Sequence, residues 1–245
     1  MNNVAEQIEF DSLYHEFQPI QRIPGGKTFG YEALIRSKTG ESPDFILQQY
    51  RYRNLLPKVD MWSIDHSSSV FFADPNIRLG DEVLFVNIYP STVTGNAFPE
   101  FMNGFMLKFK PYCRRIVFEL NESVAEGRYW SDPVFYRRIR ELRRQGFRIA
   151  LDDVGEGTTT FRKIVELLPE FIKLDKFFAC GLSDDPNKQK LIRFFAEYCK
   201  DESLLILEGI EMQEDLICSS SLGVPLGQGF LLGKPSQLGK NVAAD

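Results

Sequence analysis

Two adjacent carboxylates end a short apolar run in the stretch RIALDDVGEGTTT, residues 148–160. Asp152 and Asp153 follow four residues with the composition of a short buried strand. An aspartate close to glycine is common in surface turns, so one carboxylate at this place needs no function. The doubled carboxylate raises a second possibility, that the end of this strand forms one side of a site.

Other apolar runs end in the same way, on a carboxylate, an amide or a lysine. Each of these residues alone has a structural explanation, as a capping acid, a turn residue or a charge at a strand end. A single register that brings five carboxylates, an amide and a lysine together is much harder to reach by chance, and we therefore interpret them as one site. The seven are Glu32, Asn87, Glu119, Asp152, Asp153, Lys173 and Glu208, with Asp175 and Gln228 at the same strand ends.

The composition of this set indicates which ions it would bind. Two like charges about 4 Å apart repel by roughly 4 kcal/mol at an effective dielectric near 20, so the carboxylates need cations in addition to Lys173. The chain has two histidines, His15 and His66, and both are distant from these residues in the sequence. Oxygen ligands without His or Cys favour hard divalent ions, and we predict two Mg²⁺ or Mn²⁺ ions. Paired metals of this kind typically hydrolyse phosphate esters.

Eight apolar runs of strand length must position these side chains, and helical segments separate them. Strands that alternate with helices indicate an α/β fold, and at 245 residues they predict a (β/α)₈ barrel of the TIM type. The alternative is a doubly wound open sheet, which normally carries a GxGxxG motif after its first strand; the motif is absent there. The runs cover residues 15–20, 28–36, 82–89, 115–122, 148–154, 170–176, 203–211 and 223–233.

Alternation along the strands makes a prediction that can be checked. In a barrel, alternate strand residues face the axis, and functional groups collect at the carboxyl ends of the strands. If the polar residues face that mouth, their neighbours must point toward the helices and be apolar. We expect this outward face to hold Leu84, Val86, Ile116, Phe118, Ile149, Leu151, Ile172, Leu174, Leu205 and Leu207.

The segment SDPVFYRRIRELRRQGF, residues 131–147, is predicted to be a helix with both ends marked. Ser131 caps its start, Pro133 occupies the first turn and Gly146 ends it. Six arginines between positions 137 and 148 form a basic patch, which allows either nucleic-acid binding or a solvated helix face with Glu141 interspersed. The second interpretation is the simpler one, and a net charge of −5 also disfavours a dedicated nucleic-acid binder.

Cysteine usage and the first residues bear on the compartment. The four cysteines are scattered without a CxxC pair, which suits a reducing cytoplasm. The opening MNNVAEQIEFDSLYHEF has no basic segment followed by an apolar one, and no apolar run is long enough to cross a bilayer. We expect a cytoplasmic protein that folds as a single domain over residues 1–245, with a core from about 14 to 236.

The motifs at the strand ends resemble those of the EAL domain family, bacterial phosphodiesterases that hydrolyse cyclic di-GMP. The signature Glu-Ala-Leu stands here as Glu32-Ala33-Leu34 within GYEALIR. The resemblance extends in order through FQPI, GYEALIR, VNIYP, FELNE, LDDVGEG, IKLD, LEGIE and QGFLLGKP, from about Tyr14 to Pro235. It implies a modified barrel in which one strand runs against the others, and hydrolysis of cyclic di-GMP to linear pGpG.

The resemblance also implies roles for individual residues. Glu208 would be a metal-site acid and the general base, and Lys173 would contact the attacking water. The metal ligands would be Glu32, Asn87, Glu119, Asp152 and Asp153, the last shared by a second metal. Gln18, Arg36 and Gln228 would hold the dinucleotide, Glu122 would anchor the loop after the fifth strand, and Asp175 and Glu211 would support the site.

Four positions depart from the family pattern. In the loop after the fifth strand, Val154 stands where the family has Phe, Glu156 where it has Thr, and Thr158 where it has an aromatic residue. Tyr89 replaces a serine in VNIYP. The family links this loop to a homodimer and to the second metal, so we expect metal and substrate binding to be retained and turnover to be affected.

The functional alternative belongs to a different class of protein. A receptor for cyclic di-GMP, or a protein-binding module, would keep the barrel and turn over little substrate. Relatives of that kind generally lose metal-binding acids, which this chain retains, and the altered loop is the feature in their favour. The motifs therefore favour a metal-dependent phosphodiesterase whose partner is the dinucleotide and not a nucleic-acid polymer.

Overall fold

Eight strands form one closed barrel in chain order in the computed structural model, which describes residues 10–121, 124–155 and 161–238. The strands are β1 (Leu13–Arg22), β2 (Thr28–Ser37), β3 (Val83–Ile88), β4 (Ile116–Leu120), β5 (Arg148–Val154), β6 (Phe171–Leu174), β7 (Leu204–Leu207) and β8 (Leu226–Gly227). From β2 to β8, neighbouring strands pair in parallel. The architecture confirms the predicted barrel and excludes the open doubly wound sheet.

The first strand runs against its neighbours on both sides, as the family resemblance implies. β1 pairs antiparallel with β2, with Gln18 opposite Glu32, and antiparallel with β8. Two residue pairs join β1 to β8, and an isolated bridge between Phe17 and Ser236 adds to this seam. Because β1 is reversed, its amino-terminal half lies at the same end of the barrel as the carboxyl ends of the other strands.

From β2 onward, helices connect consecutive strands and cover the outside of the barrel, whereas a short turn joins β1 to β2. A proline occupies the first turn of most of them, where the N–H that proline lacks would have no partner within the helix. The described helices are α1 (Pro43–Tyr52), α2 (Leu56–Ala73), α3 (Pro75–Leu79), α4 (Pro90–Thr94), α5 (Phe98–Phe109), α6 (Pro133–Arg144), α7 (Phe161–Leu167), α8 (Pro186–Cys199) and α9 (Gln213–Ser221). Within the described ranges, these helices are too short or too polar to span a bilayer.

Alternation along the strands divides the buried apolar side chains into two layers. All ten residues predicted to face the helices belong to the large outer core, which confirms the predicted register. The inner layer is small, and in it Phe29, Phe85 and Phe171 pack with ring centroids 5.0 to 6.4 Å apart. These rings fill the barrel on the side away from the mouth, so the polar side chains at the mouth rest on an apolar floor.

Helix α6 forms where it was predicted, but its cap is Asp132 and not Ser131. The Asp132 carboxylate accepts a hydrogen bond from the Val134 backbone N–H at 2.8 Å. The capping residue must immediately precede the first helical residue, and Pro133 takes that first position. Gly146 follows the last turn with a φ of 100°, as expected of the residue that ends a helix.

The arginines in and after α6 are in part packing residues. Arg138 donates to two backbone carbonyl groups at the end of α4, at 2.5 and 2.6 Å. Arg143 donates to the Glu170 carboxylate at 2.9 Å and to carbonyl groups at the end of α7. The guanidinium of Arg148 lies 5.1 Å from the centre of the Phe171 ring. Three of the six arginines therefore bind other parts of the barrel, which favours the structural interpretation of this segment.

A bulge in β5 explains how two adjacent aspartates reach the same mouth. The pairing of β5 with β6 changes register between Leu151 and Val154. Asp153 has a φ of 51°, a left-handed conformation that aspartate tolerates better than most residues. In a regular strand, alternation would turn Asp153 away from the face that carries Asp152. The backbone geometry of the bulge is what allows both carboxylates to face the mouth.

Gly155 carries the chain out of this bulge, with a φ of 106° and no room for a side chain. A Cβ atom at this position would overlap the Phe178 ring. We predict that Gly155→Ala lowers the free energy of unfolding by roughly 2 kcal/mol or more, because both the backbone conformation and the ring oppose a methyl group. Urea denaturation followed by circular dichroism measures the change.

The matched control is Gly104→Ala in α5, where a Cβ atom would meet open space. Alanine has the higher helix propensity, so this variant should be unchanged or more stable by up to about 1 kcal/mol. Equal stabilities for the two variants would contradict the role given to Gly155.

Candidate active site

The ammonium group of Lys173 lies at the centre of the mouth and contacts four carboxylates. Its Nζ atom is 2.7 Å from Glu208 Oε1, 2.8 Å from Glu119 Oε1, 3.0 Å from Asp152 Oδ1 and 3.2 Å from Glu32 Oε2. Lys173 itself is 1% exposed. The four acids come from β2, β4, β5 and the segment after β7, so one side chain joins elements from around the whole barrel.

Two amide side chains orient Glu32. Asn87 Nδ2 donates to its Oε1 atom at 3.3 Å, and Gln228 Nε2 donates to its Oε2 atom at 2.7 Å. Gln228 Nε2 also lies 3.2 Å from Gln18 Oε1. Burial alone would raise the pKa of Glu32, but Lys173 and these amides bring it below its ordinary value. Glu32 is therefore the acid of the cluster that most readily keeps its negative charge.

Lys173 stays protonated although it is buried. Burial disfavours its charged form, but the four surrounding carboxylates outweigh that effect and raise its pKa well above the ordinary value. A lysine in this state does not act as a base. Its fixed positive charge holds the acids together and is available to stabilise negative charge on a ligand.

The other acids take up protons more readily than ordinary carboxylates. Burial raises the pKa of Glu208 to about 8. Burial, followed by repulsion from Glu32, raises the pKa of Glu119 well above its ordinary value, and burial also raises that of Asp152. A single ammonium group does not neutralise this cluster, so further positive charge at the mouth would stabilise the ionised acids.

Asp152, Asp153 and Glu208 are arranged to bind a cation. One carboxylate oxygen from each lies within 4.8 Å of the others. Asp152 Oδ1 is buried and faces the Lys173 ammonium, yet it makes no well-directed hydrogen bond with the described residues. Carboxylate oxygens at this spacing suit hard divalent ions. The donor set therefore fits the predicted Mg²⁺ or Mn²⁺.

Two cavities open beside the acid cluster and meet at it. The first has a volume of about 280 Å³, reaches toward α1 and α2, and has Arg36 and Tyr89 in its wall. The second has a volume of about 380 Å³ and reaches toward Gln228 and Phe230. A ligand with two arms can therefore cross the mouth with its centre against the carboxylates. The acids that line both cavities are Glu32, Asp153 and Glu208.

The remaining predicted residues lie around this cluster or outside the described part of the chain. Asp175 is buried beside the second cavity, and Glu211 is exposed at the edge of the same cavity. Arg36 lies on the face of β2 that carries Glu32, as alternation predicts. The roles of three residues stay predictions because these residues lie outside the described ranges: Glu122, Glu156 and Thr158.

A buried acid that motif analysis missed holds the turn after β3. Asp60 in α2 is 4% exposed, and its Oδ2 atom accepts hydrogen bonds from Tyr89 N at 2.9 Å and Thr92 Oγ1 at 2.6 Å. Burial raises its pKa to about 7. This contact fixes the backbone just beyond Asn87. The available signal was an aspartate on the buried side of a helix, where an acid needs a hydrogen-bond partner.

Tyr89, a departure from the family pattern, forms part of the wall of the first cavity. The guanidinium of Arg51 lies 5.0 Å from the centre of its ring, and Arg51 also pairs with Glu126 at 3.4 Å. These contacts join α1 to the turn after β3 and to the segment after β4. The tyrosine adds an aromatic wall where a serine would leave open space.

Fold and site together define a TIM-type barrel whose mouth carries a cluster of carboxylates between two cavities. The chain belongs to the EAL domain family, whose model matches residues 1–235. Membership explains the order of motifs from FQPI to QGFLLGKP and the reversed first strand.

Similar proteins and solved structures belong to the same family of barrels. The cyclic di-GMP phosphodiesterase PdeF of Escherichia coli (strain K12) is 25% identical over 244 residues, which are 97% of this chain and 32% of PdeF. The PaMucR phosphodiesterase in complex with c-di-GMP has a TM-score of 0.82 at 21% identity and is matched over 96% of both chains. The manganese/cy-diGMP complex of Klebsiella pneumoniae BlrP1 has a TM-score of 0.80 at 23% identity, over 96% of this chain and 57% of that one. The chain thus spans about a third of the length of PdeF, and the structures show a common fold.

The raised pKa of Glu208 makes the stability of the metal-free protein depend on pH. Its pKa is about 8 in the folded protein, against an ordinary value of 4.5. The stability from this group is present below about pH 4.5 and is lost as the pH rises through about 8, because the folded state binds the proton more tightly. We predict that, between about pH 6 and pH 8, the wild type loses roughly 2 kcal/mol more than Glu208→Gln. Urea denaturation in the presence of EDTA measures the difference.

Divalent cations should suppress this pH dependence. When Glu208 binds a cation in place of a proton, the stabilisation by Mg²⁺ should be larger at about pH 8 than at about pH 6. In Glu208→Gln, the stabilisation by Mg²⁺ at about pH 8 should be smaller than it is in the wild type. A wild-type protein whose unfolding is unaffected by Mg²⁺ and Mn²⁺ at both pH values would contradict the cation site.

Proposed function

We propose that the chain is a metal-dependent phosphodiesterase that hydrolyses cyclic di-GMP to linear pGpG. The observation that carries the proposal is the meeting of two cavities at one acid cluster. Cyclic di-GMP has two guanine bases on a ring of two phosphodiesters, so each cavity can take one base while a phosphodiester lies against the acids. The names of PdeF, PaMucR and BlrP1, which refer to this dinucleotide or its hydrolysis, support the same substrate.

Hydrolysis requires a water molecule to attack phosphorus while the P–O3′ bond breaks and the 3′ oxygen takes up a proton. We assign proton acceptance from the water to Glu208, whose carboxylate lies at the mouth beside Asp152 and Asp153 and would be ionised once a bound cation lowers its raised pKa. Lys173 remains protonated, keeps Glu208 oriented at 2.7 Å and stabilises negative charge on the reacting phosphate. Mg²⁺ or Mn²⁺ would supply further positive charge to the phosphate oxygens. The residues that would hold the metal are Glu32, Asn87, Glu119, Asp152 and Asp153.

Three side chains beyond the acids would hold the dinucleotide. Gln228 Oε1 is buried and makes no hydrogen bond with the described residues, so it can accept one from a ligand. Gln18 lies beside it, and Arg36 lines the first cavity. Each of these groups can contact a base or a phosphate of a ligand that spans the mouth.

The alternative is a receptor that binds cyclic di-GMP and turns over little of it. One observation favours it: Tyr89 and Val154 differ from the family pattern, and they lie two residues after Asn87 and one residue after Asp153, which are predicted ligands. The retained acids favour the enzyme, because a binding module has no need of a complete cation site. Product formation separates the two.

The proposed function is tested by incubating the protein with cyclic di-GMP and Mg²⁺ or Mn²⁺ and resolving the products by chromatography. Linear pGpG should accumulate. We predict that Glu208→Gln lowers kcat by at least about 100-fold, since a general base contributes 10²- to 10⁴-fold in typical enzymes. Affinity for cyclic di-GMP, measured with Ca²⁺ in place of Mg²⁺, should change little.

The matched control is Glu100→Gln, which neutralises an exposed carboxylate of α5 that lines neither cavity, and this variant should keep wild-type kcat. A wild type that binds the dinucleotide without forming product would favour the receptor. A wild type that neither binds nor hydrolyses it would reject both functions.

We also propose that two copies of the chain pair through an exposed apolar face on α7 and α8. This face consists of Phe161, Val165, Phe194 and Tyr198, which are 61%, 61%, 52% and 43% exposed. The ring of Phe194 lies 6.2 Å from that of Phe161 and 6.4 Å from that of Tyr198, centre to centre, so the aromatic groups form one continuous surface. A twofold dimer buries such a surface against its own copy, which favours a homodimer as its occupant.

Phe194→Glu places a charge in the middle of this face and should convert the dimer to a monomer, as measured by analytical ultracentrifugation. Leu107→Glu is the control, because Leu107 is 90% exposed on α5 and lies outside the α7–α8 face. A wild type that is monomeric at all concentrations, or an equal effect of both substitutions, would contradict the pairing.

We propose the cytoplasm as the compartment, as the sequence predicts. All four cysteines are free thiols, as a reducing environment requires. We therefore keep the cytoplasm as the proposed location.

A further inference from the structure

We propose that Glu16 is a positioning residue that fixes the guanidinium group of Arg36 for the ligand. The inference rests on the proposed function, because Arg36 is one of the side chains proposed to hold cyclic di-GMP. Glu16 belongs to none of the motifs that identify the family. Its assignment comes from its contacts with Arg36.

The guanidinium group of Arg36 is fixed by two hydrogen bonds to the protein and keeps further N–H donors available to a ligand. Its Nε atom donates to Glu16 Oε2 at 2.9 Å, and its Nη1 atom donates to the Ile35 carbonyl oxygen at 2.9 Å. Arginine has N–H donors on three nitrogens in a fixed planar fork. The Nη2 atom makes no hydrogen bond with residues in the described ranges, and Arg36 lines the first cavity. The fork is therefore oriented by the protein and has donors left for a ligand.

The reversed direction of β1 is what brings Glu16 to this place. Gln18 is opposite Glu32 and Tyr14 is opposite Arg36, so Glu16 lies between these two pairs. Side chains alternate along a strand, and Glu16 therefore shares the face of Gln18. A parallel first strand would present its carboxyl end at the mouth, as the other strands do, and Glu16 would lie elsewhere.

The energetics point to ligand binding and not to folding as the property that Glu16 affects. The side chains of Arg36 and Glu16 are 23% and 26% exposed, and ion pairs with this degree of exposure contribute little to stability. A free arginine side chain loses about 2 kcal/mol of rotamer entropy when it is immobilised, so orienting it beforehand lowers the cost of binding. The ion pair therefore contributes to the free energy of ligand binding more than to the free energy of unfolding.

The distance from the acid cluster indicates which kinetic parameter should respond. Arg36 is four residues beyond Glu32 on β2, which separates their Cα atoms by roughly 13 Å at the rise of an extended strand. The Arg36 guanidinium pairs with Glu16 and with none of the four described acids around Lys173, so we expect it to bind ground state and transition state about equally. Losing its orientation therefore raises KM and leaves kcat unchanged.

We predict that Glu16→Ala raises KM for cyclic di-GMP about three- to fivefold, the effect of a partly exposed ion pair, with kcat within about twofold of wild type. Glu16→Gln keeps an oxygen that accepts the hydrogen bond from Arg36 Nε, and should restore most of the affinity. Steady-state kinetics with Mg²⁺ measures both variants, and Kd measured with Ca²⁺ should change in parallel with KM.

A double-mutant cycle shows whether Glu16 acts through Arg36. Arg36→Ala and the double variant Glu16→Ala/Arg36→Ala should have the same KM, because a positioning residue has nothing left to position. Asp65→Ala is the control: it removes a comparable ion pair, Lys108 with Asp65 at 2.8 Å, in the helical layer, and should keep wild-type KM.

Two results would overturn the inference: a wild-type KM in Glu16→Ala, or a further rise in KM when Glu16→Ala is added to Arg36→Ala. The failure of the proposed hydrolysis is recognised separately. A wild type that binds cyclic di-GMP without cleaving it ends the enzyme proposal, while the series of Kd values still decides the role of Glu16.

Discussion

A single buried ammonium group among four carboxylates is the interaction on which the mouth of this barrel depends. Lys173 is almost completely removed from water, and its charge is compensated by acids from four separate elements. A buried charge that loses its partners is strongly unfavourable, so the strands that supply these partners must keep their register. The inner layer of Phe29, Phe85 and Phe171 packs between the same strands on the side of the barrel away from the mouth and helps to maintain that register. The same contacts concentrate negative charge at the mouth, which gives a divalent cation a place to bind.

Two irregularities of the backbone bring groups to the mouth that a regular parallel barrel would place elsewhere. The bulge in β5 turns Asp153 to the side of Asp152, and Gly155 allows the chain to leave the bulge beside Phe178. The reversed β1 presents Glu16 from its amino-terminal half and Gln18 from its middle. Asp153, which we propose as a cation ligand, and Gln18 and Glu16, which we propose to contact the ligand or position Arg36, therefore depend on two different irregularities of the backbone.

The parts of this structure that follow from local pattern were predictable, and those that depend on contacts between distant segments were not. Alternation with a period of two correctly assigned Leu84, Val86 and their counterparts to the outer core, because β3 to β7 follow it over these positions. The predicted cap of α6 was wrong by one residue. Ser131 and Asp132 are both good capping residues, and the position of Pro133 decides between them. The sequence pattern does not predict the bulge in β5 or the pairing of Glu16 with Arg36. For Asp60 it indicates a buried acid that needs a hydrogen-bond partner, but not that the partner is the turn after β3. These features arise when elements far apart in the chain meet.

Few hydrogen bonds close the barrel between its first and last strands. Two residue pairs join β1 to β8, whereas nine join β1 to β2. Local opening has its lowest free energy where cross-strand bonding is sparse, so backbone amides along this seam should exchange with solvent sooner than those of the inner strands. Gln18 and Gln228 form a hydrogen bond across the same seam at the mouth. A ligand held by both side chains would join β1 to the segment after β8, and its binding would therefore slow local opening along the whole β1–β8 edge.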